Sequence, residues 1–186
     1  MTSSELTLVP GILLAMPSLQ DPNFHRTVIL MLQHDDDGAL GLILNRPTRH
    51  ACGDVARSLD IDWKLDENRF ISVGGPVEPQ SLWMLHSNGW MFDETIQVGA
   101  SLAVSRSERA LRQMCQAGEE KIKMFVGYAG WGPGQLEQEI REGAWLTTEL
   151  SHELVFETAE AEIWDSAFET LGVNPGYLVD PTETLH

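Results

Sequence analysis

Basic residues are scarce in this chain of 186 residues, which has 12 lysines and arginines against 28 aspartates and glutamates. The net charge of −16 disfavours direct binding to DNA or RNA, because lysine and arginine supply most of the affinity for phosphates. Nine of the basic residues lie in residues 1–112 and three in residues 113–186, whereas the acidic residues divide equally. Any nucleic-acid surface is therefore expected in the first part, which contains Arg46, Arg49, Arg57 and Arg69.

Cysteine is equally rare, since Cys52 and Cys115 are the only two and lie 63 positions apart. They form no CxxC pair and have no nearby histidine, so a zinc site or a redox pair is not indicated. We expect two small buried thiols, and the sequence predicts no metal and no cofactor.

Long hydrophobic runs and a basic leader are also missing. Residues 1–5 lack the basic start of a secretory signal, and Pro10 and Pro17 interrupt the apolar run over residues 6–19. No stretch approaches the roughly 20 apolar residues that span a bilayer. We therefore expect a cytoplasmic protein with no membrane segment.

The clearest local structure is a β-hairpin. Two β-branched runs, residues 26–34 and 39–45, are joined by three aspartates and Gly38, and Asp-Gly is a strong hairpin signal. A calcium loop is disfavoured because Gln33 and Leu44 would occupy its two end ligand positions. The aspartates are predicted to form a solvated turn.

The remaining pattern predicts one α+β domain over residues 1–186, with a mixed, largely antiparallel sheet, hairpins and about four helices packed on it. Helices are expected over residues 52–59 and 106–117, the latter capped by Ser105 and Glu108 and ended by Gly118. A short helix is expected at Pro133 and a last one after Thr158. Strands are predicted over residues 69–73, 81–86, 96–104 and 121–128, and a second hairpin over residues 144–150 and 153–156.

The glycine-rich segment over residues 127–137 follows a predicted strand and opens a helix, a position where backbone amides can hold an anion. It does not match the known phosphate loops, because Gln135 replaces a required glycine and Pro133 a required lysine. Close packing around Trp131 is the favoured role of these glycines. Ligand binding remains the alternative, since such turns often form sites.

Three further residues have side chains of the types that act in catalysis or ligand binding. Ser101 lies in a segment one substitution away from a G-x-S-x-G elbow, but the later His152 and His186 have no clear acidic partner in the expected order, so a serine hydrolase is disfavoured. His86 is a candidate general base or ligand, with a hydrogen-bonded structural role favoured. Arg46 follows Asn45 and precedes proline, and it is expected to pair with a carboxylate more readily than with a substrate anion.

Several of these segments, taken together and in order, resemble the AlgH/YqgE family: residues 11–30, 34–47, 74–77, 85–86 and 127–140. The resemblance covers residues 11–172 and implies a bacterial cytoplasmic protein with one α+β domain. Members are described as uncharacterised or as transcriptional regulators, and the family offers no catalytic set to transfer. The matching positions are candidates for a common surface or pocket: Asn45, Arg46, Gly75, His86, Trp131, Gln135 and Glu137.

Three functions follow as hypotheses. The first is an indirect transcriptional regulator that acts through a protein partner or a small-molecule ligand, without direct DNA binding. The second is an enzyme or metabolite-binding protein with a pocket near Gly75, His86 and the glycine-rich turn. The third is a scaffold subunit, for which the six tryptophans would supply a core or an interface. The sequence leaves the oligomeric state open.

Overall fold

A computed structural model describes residues 8–178 of the chain. Its ten strands are β1 (Gly11–Ala15), β2 (Val28–Asp35), β3 (Gly38–Ile43), β4 (Pro47–Ala51), β5 (Phe70–Val73), β6 (Val77–Ser87), β7 (Ile96–Val98), β8 (Leu102–Ser105), β9 (Ile122–Trp131) and β10 (Trp145–Thr148). Its helices are α1 (Cys52–Ser58), α2 (Glu108–Ala117), α3 (Gln135–Arg141), α4 (His152–Phe156), α5 (Ile163–Thr170) and a short 3₁₀ helix at Pro175–Tyr177.

The strands form one mixed sheet in the order β10-β1-β2-β3-β9-β6-β8-β7, and β5 lies between β4 and β9. All pairings are antiparallel except that of β5 with β9. Strand β9 joins the two halves, because residues 129–131 pair with β3 and residues 122–126 pair with β6. The predicted α+β class and largely antiparallel sheet are confirmed, with five α-helices among residues 8–178 where about four were expected.

The first hairpin is confirmed, with Asp35 opposite Gly38 and Leu30 opposite Leu42. Asp35 Oδ1 accepts the backbone N–H of Asp37 at 2.9 Å, so the aspartates close their own turn. Gly38 has a φ of +133°, and a Cβ there would lie 2.2 Å from the carbonyl oxygen of Trp131. This close approach explains why the turn requires glycine.

The second predicted hairpin is wrong. Strand β10 pairs with β1 instead of with the following segment, and residues 152–156 form helix α4. Strand β1 was not expected, because the two prolines beside it break the local pattern. Its partners β2 and β10 lie far apart in the sequence, and such a pairing is set by the tertiary structure rather than by a local turn signal.

Helix α2 confirms the predicted helix and its end at Gly118, which is left-handed with a φ of +71°. Its predicted cap is wrong: the Ser107 hydroxyl accepts the N–H of Ala110 at 3.2 Å, whereas Ser105 is buried in β8. The strand predicted over residues 96–104 is in fact the β7–β8 hairpin, which turns at Gly99 with a φ of +64°.

Two other helices begin later than predicted. Helix α3 starts at Gln135 after a left-handed Gly134, so Pro133 precedes the helix instead of opening it. Helix α5 starts after Glu162 and has no side-chain cap, so Thr158 does not cap it. In both cases a tight turn occupies the residues that the local pattern placed in the helix.

Clusters of buried apolar side chains lie on both faces of the sheet. Helix α5 buries Ile163, Trp164, Ala167 and Phe168 against it, as predicted from their spacing. Trp164 Nε1 donates to the carbonyl oxygen of Ala15 at 2.9 Å, which fixes α5 to β1. On the other side α1 and α2 cover a second apolar cluster.

Both cysteines lie in that second cluster as free, buried thiols, as expected. None of the helices described between residues 8 and 178 has the length and hydropathy that a membrane crossing needs.

Candidate functional site

Three of the family-like segments meet at one cleft, which we call the Arg46 cleft. Its volume is about 230 Å³. The segment over residues 11–30 contributes two lining residues, the segment over residues 34–47 contributes three, and the segment over residues 74–77 contributes two. The lining residues are Pro22, Asn23, Ile43, Arg46, Pro47, Val73, Gly75 and Pro76. Residues that are remote in the sequence but share the family resemblance thus form one surface.

Asn45 holds one wall of this cleft in place. Its side-chain Oδ1 accepts the backbone N–H of Val28 at 2.9 Å, and its Nδ2 donates to the carbonyl oxygen of Arg26 at 2.9 Å. Arg26 has a φ of +53°, a conformation that a non-glycine residue adopts only when its surroundings hold it there. The amide of Asn45 therefore fastens the loop before β2 to the end of β3.

Arg46 is half-buried at the edge of the cleft. Its guanidinium donates to the carbonyl oxygens of Asn45, at 3.2 Å, and of His25. No carboxylate within residues 8–178 forms an ion pair with it, so the predicted carboxylate pairing is not observed. Burial lowers the pKa of Arg46, but arginine stays charged at neutral pH. The cleft therefore holds a cation whose charge is not balanced locally.

Gly75 lets the opposite wall approach strand β9. A Cβ at Gly75 would lie 2.1 Å from the carbonyl carbon of Tyr128 and 2.2 Å from the backbone nitrogen of Ala129. Gly127 has a φ of +70°, and a Cβ there would lie 2.4 Å from the carbonyl oxygen of Gly75. The two glycine-containing segments therefore fit against each other backbone to backbone, and neither tolerates a side chain at these positions.

Hydrogen bonds close the glycine-rich turn that follows β9. The Glu139 carboxylate accepts from Trp131 Nε1 at 3.0 Å, from Trp145 Nε1 at 2.8 Å and from Gln135 Nε2 at 2.9 Å. Gln135 Oε1 accepts the backbone N–H of Gly132 at 3.0 Å. The amide that could hold an anion here is thus occupied by the protein's own side chain. This arrangement favours the structural role of the turn.

Glu137, on the same helix, pairs with His34 of β2, whose side chain is 8% exposed. Glu137 Oε1 lies 2.7 Å from His34 Nε2. A hydrogen bond from its own backbone amide holds the pKa of Glu137 below the ordinary value, and His34 lowers it further. This pair anchors α3 to the sheet.

His86 lies in the interior, with no exposed surface. Its Nε2 is 2.8 Å from Ser105 Oγ, and its Nδ1 is 2.8 Å from the carbonyl oxygen of Ser87. Burial lowers the pKa of His86, which favours the neutral imidazole. His86 lines none of the larger clefts found among residues 8–178.

The structure therefore sorts the candidate residues into three places. Arg46 and Gly75 line the Arg46 cleft and Asn45 supports its wall, whereas Trp131, Gln135 and Glu137 group around α3. His86 belongs to neither group. Within residues 8–178, no three His, Cys, Asp or Glu side chains are arranged to hold a metal ion.

A second cleft, which we call the Lys123 cleft, was missed by the sequence analysis. It has a volume of about 370 Å³. Its lining residues are Pro47, Cys52, Asn68, Arg69, Phe70, Glu120, Ile122, Lys123, Met124, Phe156 and Glu160. Pro47 lines both clefts. The signal available in the sequence was Lys123 itself, a charged residue within an otherwise apolar strand.

The fold and the sites together define an α+β protein whose sheet is covered on both faces and which has an arginine in a cleft lined by three separate segments of the chain. The model of the AlgH-like family matches residues 12–176, so the chain belongs to this family, as the resemblance predicted.

Relatives match over nearly the whole chain. A UPF0301 protein from Myxococcus xanthus is 38% identical over 174 residues, covering 92% of this chain and 95% of the relative. A UPF0301 protein from Photobacterium profundum is 37% identical over 180 residues, covering 93% of this chain and 96% of the relative.

Two solved structures share the fold. The solution structure of the AlgH protein from Pseudomonas aeruginosa has a TM-score of 0.76 and 36% sequence identity, with 96% of each chain covered. The crystal structure of protein DIP2367 from Corynebacterium diphtheriae has a TM-score of 0.73 and 22% identity, covering 97% of this chain and 95% of that one. At that identity the second match concerns the fold alone.

Proposed function

We propose that this protein is an indirect regulator of transcription in the cytoplasm, which binds a small anionic molecule in the Arg46 cleft and does not itself bind DNA. The observation that carries the proposal is the half-buried Arg46, which has no carboxylate partner among residues 8–178 in a chain of net charge −16. A bound anion would supply the missing charge.

The guanidinium suits such a ligand. It is held by two backbone carbonyl oxygens, which leaves three of its N–H donors for a ligand. A carboxylate or a phosphate accepts two parallel hydrogen bonds from this planar group. Pro22, Pro47 and Pro76 line the same cleft, and proline stiffens the backbone, so little order is lost when a ligand binds.

The walls favour binding over catalysis. Arg46 is the single ionisable side chain among the eight lining residues, and none of them is a nucleophile or general base. At about 230 Å³, the cleft is below the usual range of about 300–1,000 Å³ for small-molecule sites, so it suits one anionic group and a short apolar part. The enzyme alternative near the glycine-rich turn is less supported, because the polar groups there are already paired.

The proposal is tested by titrating the purified protein with acetate and with inorganic phosphate, using NMR chemical shifts or calorimetry. We expect one of the two anions to bind and Arg46→Met to weaken it at least tenfold, since a charged hydrogen bond contributes about 1.5–3 kcal/mol. Arg49→Met is the matched control, because Arg49 is exposed and three positions away. Thermal unfolding of both variants checks that they fold.

Two results would contradict the proposal. If neither anion binds, or if Arg46→Met binds as tightly as the natural protein, the Arg46 cleft is not an anion site. Tight, salt-sensitive binding of the purified protein to duplex DNA would overturn the indirect mechanism.

A further inference from the structure

The Lys123 cleft contains an ammonium group and a carboxylate, those of Lys123 and Glu160, that are not hydrogen-bonded to each other. Lys123 Nζ lies 3.9 Å from Glu160 Oε1, beyond hydrogen-bond distance, and the two side chains are only 20% and 26% exposed. Ser72, which is buried, donates to the same Glu160 oxygen at 3.2 Å. Among residues 8–178, no hydrogen-bond acceptor contacts the Lys123 ammonium and no donor contacts Glu160 Oε2.

This arrangement leaves both charged groups available to a ligand. A separation of 3.9 Å gives the ammonium group only part of the stabilisation of a hydrogen-bonded ion pair. Among residues 8–178 no fully buried side-chain nitrogen or oxygen lacks a hydrogen-bond partner, so solvent reaches both Lys123 Nζ and Glu160 Oε2. Burial lowers the pKa of Lys123, with Glu160 opposing the shift.

A second cation stands at the same cleft. Arg69 Nη1 donates to the carbonyl oxygens of Glu120, at 2.7 Å, and of Ile122, at 3.3 Å. No carboxylate of the described residues pairs with Arg69, so its other N–H groups face no acceptor there. One rim of the cleft therefore offers two cations, and the Glu160 carboxylate lies beside them.

We propose that the Lys123 cleft binds a free α-amino acid with an apolar side chain. Its carboxylate would accept hydrogen bonds from Lys123 and Arg69, and its ammonium group would donate to Glu160. Phe70, Met124 and Phe156 line the same cleft and would contact the apolar side chain. The cleft volume of about 370 Å³ is within the usual range of about 300–1,000 Å³ for small-molecule sites.

Other ligand classes fit less well. A phosphate would meet the two cations but would also face the carboxylates of Glu120 and Glu160. A neutral apolar molecule would cover Lys123 and Glu160 without supplying a hydrogen bond to either, which is unfavourable. An amphoteric ligand satisfies both groups and leaves the cleft electrically balanced.

The test is calorimetric titration of the full chain with L-phenylalanine, L-leucine and L-methionine. We expect at least one to bind, and the corresponding N-acetyl derivative and the carboxamide to bind at least tenfold more weakly, because each lacks one of the two charges. Lys123→Met and Glu160→Gln are each expected to weaken binding at least tenfold. Lys121→Met, on an exposed side chain two positions away, is the matched control.

The proposal is overturned if none of the three amino acids binds at millimolar concentration, if both derivatives bind as tightly as the parent, or if inorganic phosphate binds in their place. Should Lys123→Met fail to fold, Glu160→Gln together with the two derivatives still decides the result. The Arg46→Met variant should bind the amino acid normally, so this inference and the proposed function fail independently.

Discussion

Ser105 Oγ lies 2.8 Å from His86 Nε2 in the interior of the protein, and the other ring nitrogen of His86 determines the direction of this hydrogen bond. His86 Nδ1 faces the carbonyl oxygen of Ser87 at 2.8 Å, so Nδ1 carries the proton and Nε2 accepts from the serine hydroxyl. Thr95 Oγ1 lies 2.7 Å from Ser105 Oγ and accepts the N–H of Phe92 at 2.9 Å. The contact between this serine and this histidine is therefore a buried structural one, because neither residue lines the larger clefts found among residues 8–178.

Replacing Ser105 by alanine should lower the free energy of unfolding by about 1–3 kcal/mol, because the buried His86 Nε2 and the half-buried Thr95 Oγ1 both lose their partner. Urea denaturation followed by circular dichroism measures the change. Ser101→Ala is the control, since Ser101 is exposed and should cost less than about 0.5 kcal/mol. Equal effects in both variants would show that the hydrogen bonds linking Thr95, Ser105 and His86 contribute little to stability.

His86 should also make stability pH-dependent. Its pKa is lowered in the folded protein, so below the ordinary value of 6.5 the unfolded chain binds a proton that the folded protein does not. Stability is therefore expected to fall as the pH drops from 7 towards 5. The free energy of unfolding of His86→Asn should fall less steeply over that interval. Parallel pH curves for the two proteins would contradict this assignment.

Gly75→Ala should destabilise the fold by about 2–4 kcal/mol, because the new methyl group would overlap the backbone of Tyr128 and Ala129. Gly134→Ala is the matched control. Gly134 also has a positive φ, of +72°, but a Cβ there meets nothing within 4 Å. It should cost only about 1 kcal/mol, the penalty of the left-handed backbone. Similar losses in both variants would argue against the close approach of the two segments.

Glu139→Ala should cost about 2–4 kcal/mol, since the indole N–H groups of Trp131 and Trp145 lose their shared acceptor. Tryptophan emission should also shift to longer wavelength as water reaches the rings. Glu142→Ala, which removes an exposed carboxylate near the end of the same helix, is expected to leave both measurements nearly unchanged. An unaltered emission spectrum in Glu139→Ala would indicate that other groups hold the turn closed.

Burial raises the pKa of the Cys52 thiol to about 12, so the thiolate is scarce at pH 8. Iodoacetamide should modify Cys52 at least tenfold more slowly in the native protein than in denaturant, as followed by mass spectrometry. Cys115 should behave in the same way, because burial also raises its pKa. Rapid native alkylation of either cysteine would show that this part of the core opens.

Local patterns predicted the elements whose signals lie within a few residues. The turn at Gly38 and the end of α2 at Gly118 were found because each requires a glycine at a tight turn. The buried face of α5 followed from its helical spacing. The predicted N-cap of α2 was two residues too early, because Ser105 and Ser107 are both serines and serine is a preferred N-cap residue. Ser105 is buried in β8 and hydrogen-bonded to His86, so Ser107 caps the helix.

The candidate site was predictable only in part. Asn45, Arg46 and Gly75 were identified by their place in family-like segments. The cleft that Arg46 and Gly75 line depends on Asn45 binding the loop before β2 and on Gly75 packing against β9. The Lys123 cleft could not be foreseen, because Glu160 is 37 positions away along the chain and no motif links it to Lys123.

The sequence by itself determined the acidity, the first hairpin, the α+β class and the family, because composition and short-range patterns carry that information. The tertiary structure decided which polar groups remain unpaired. It buried His86 with Ser105, closed the glycine-rich turn on Glu139, and left Arg46 without a carboxylate among residues 8–178. Pairing of this kind depends on distances between groups that are remote along the chain, and only the packed sheet brings those groups together.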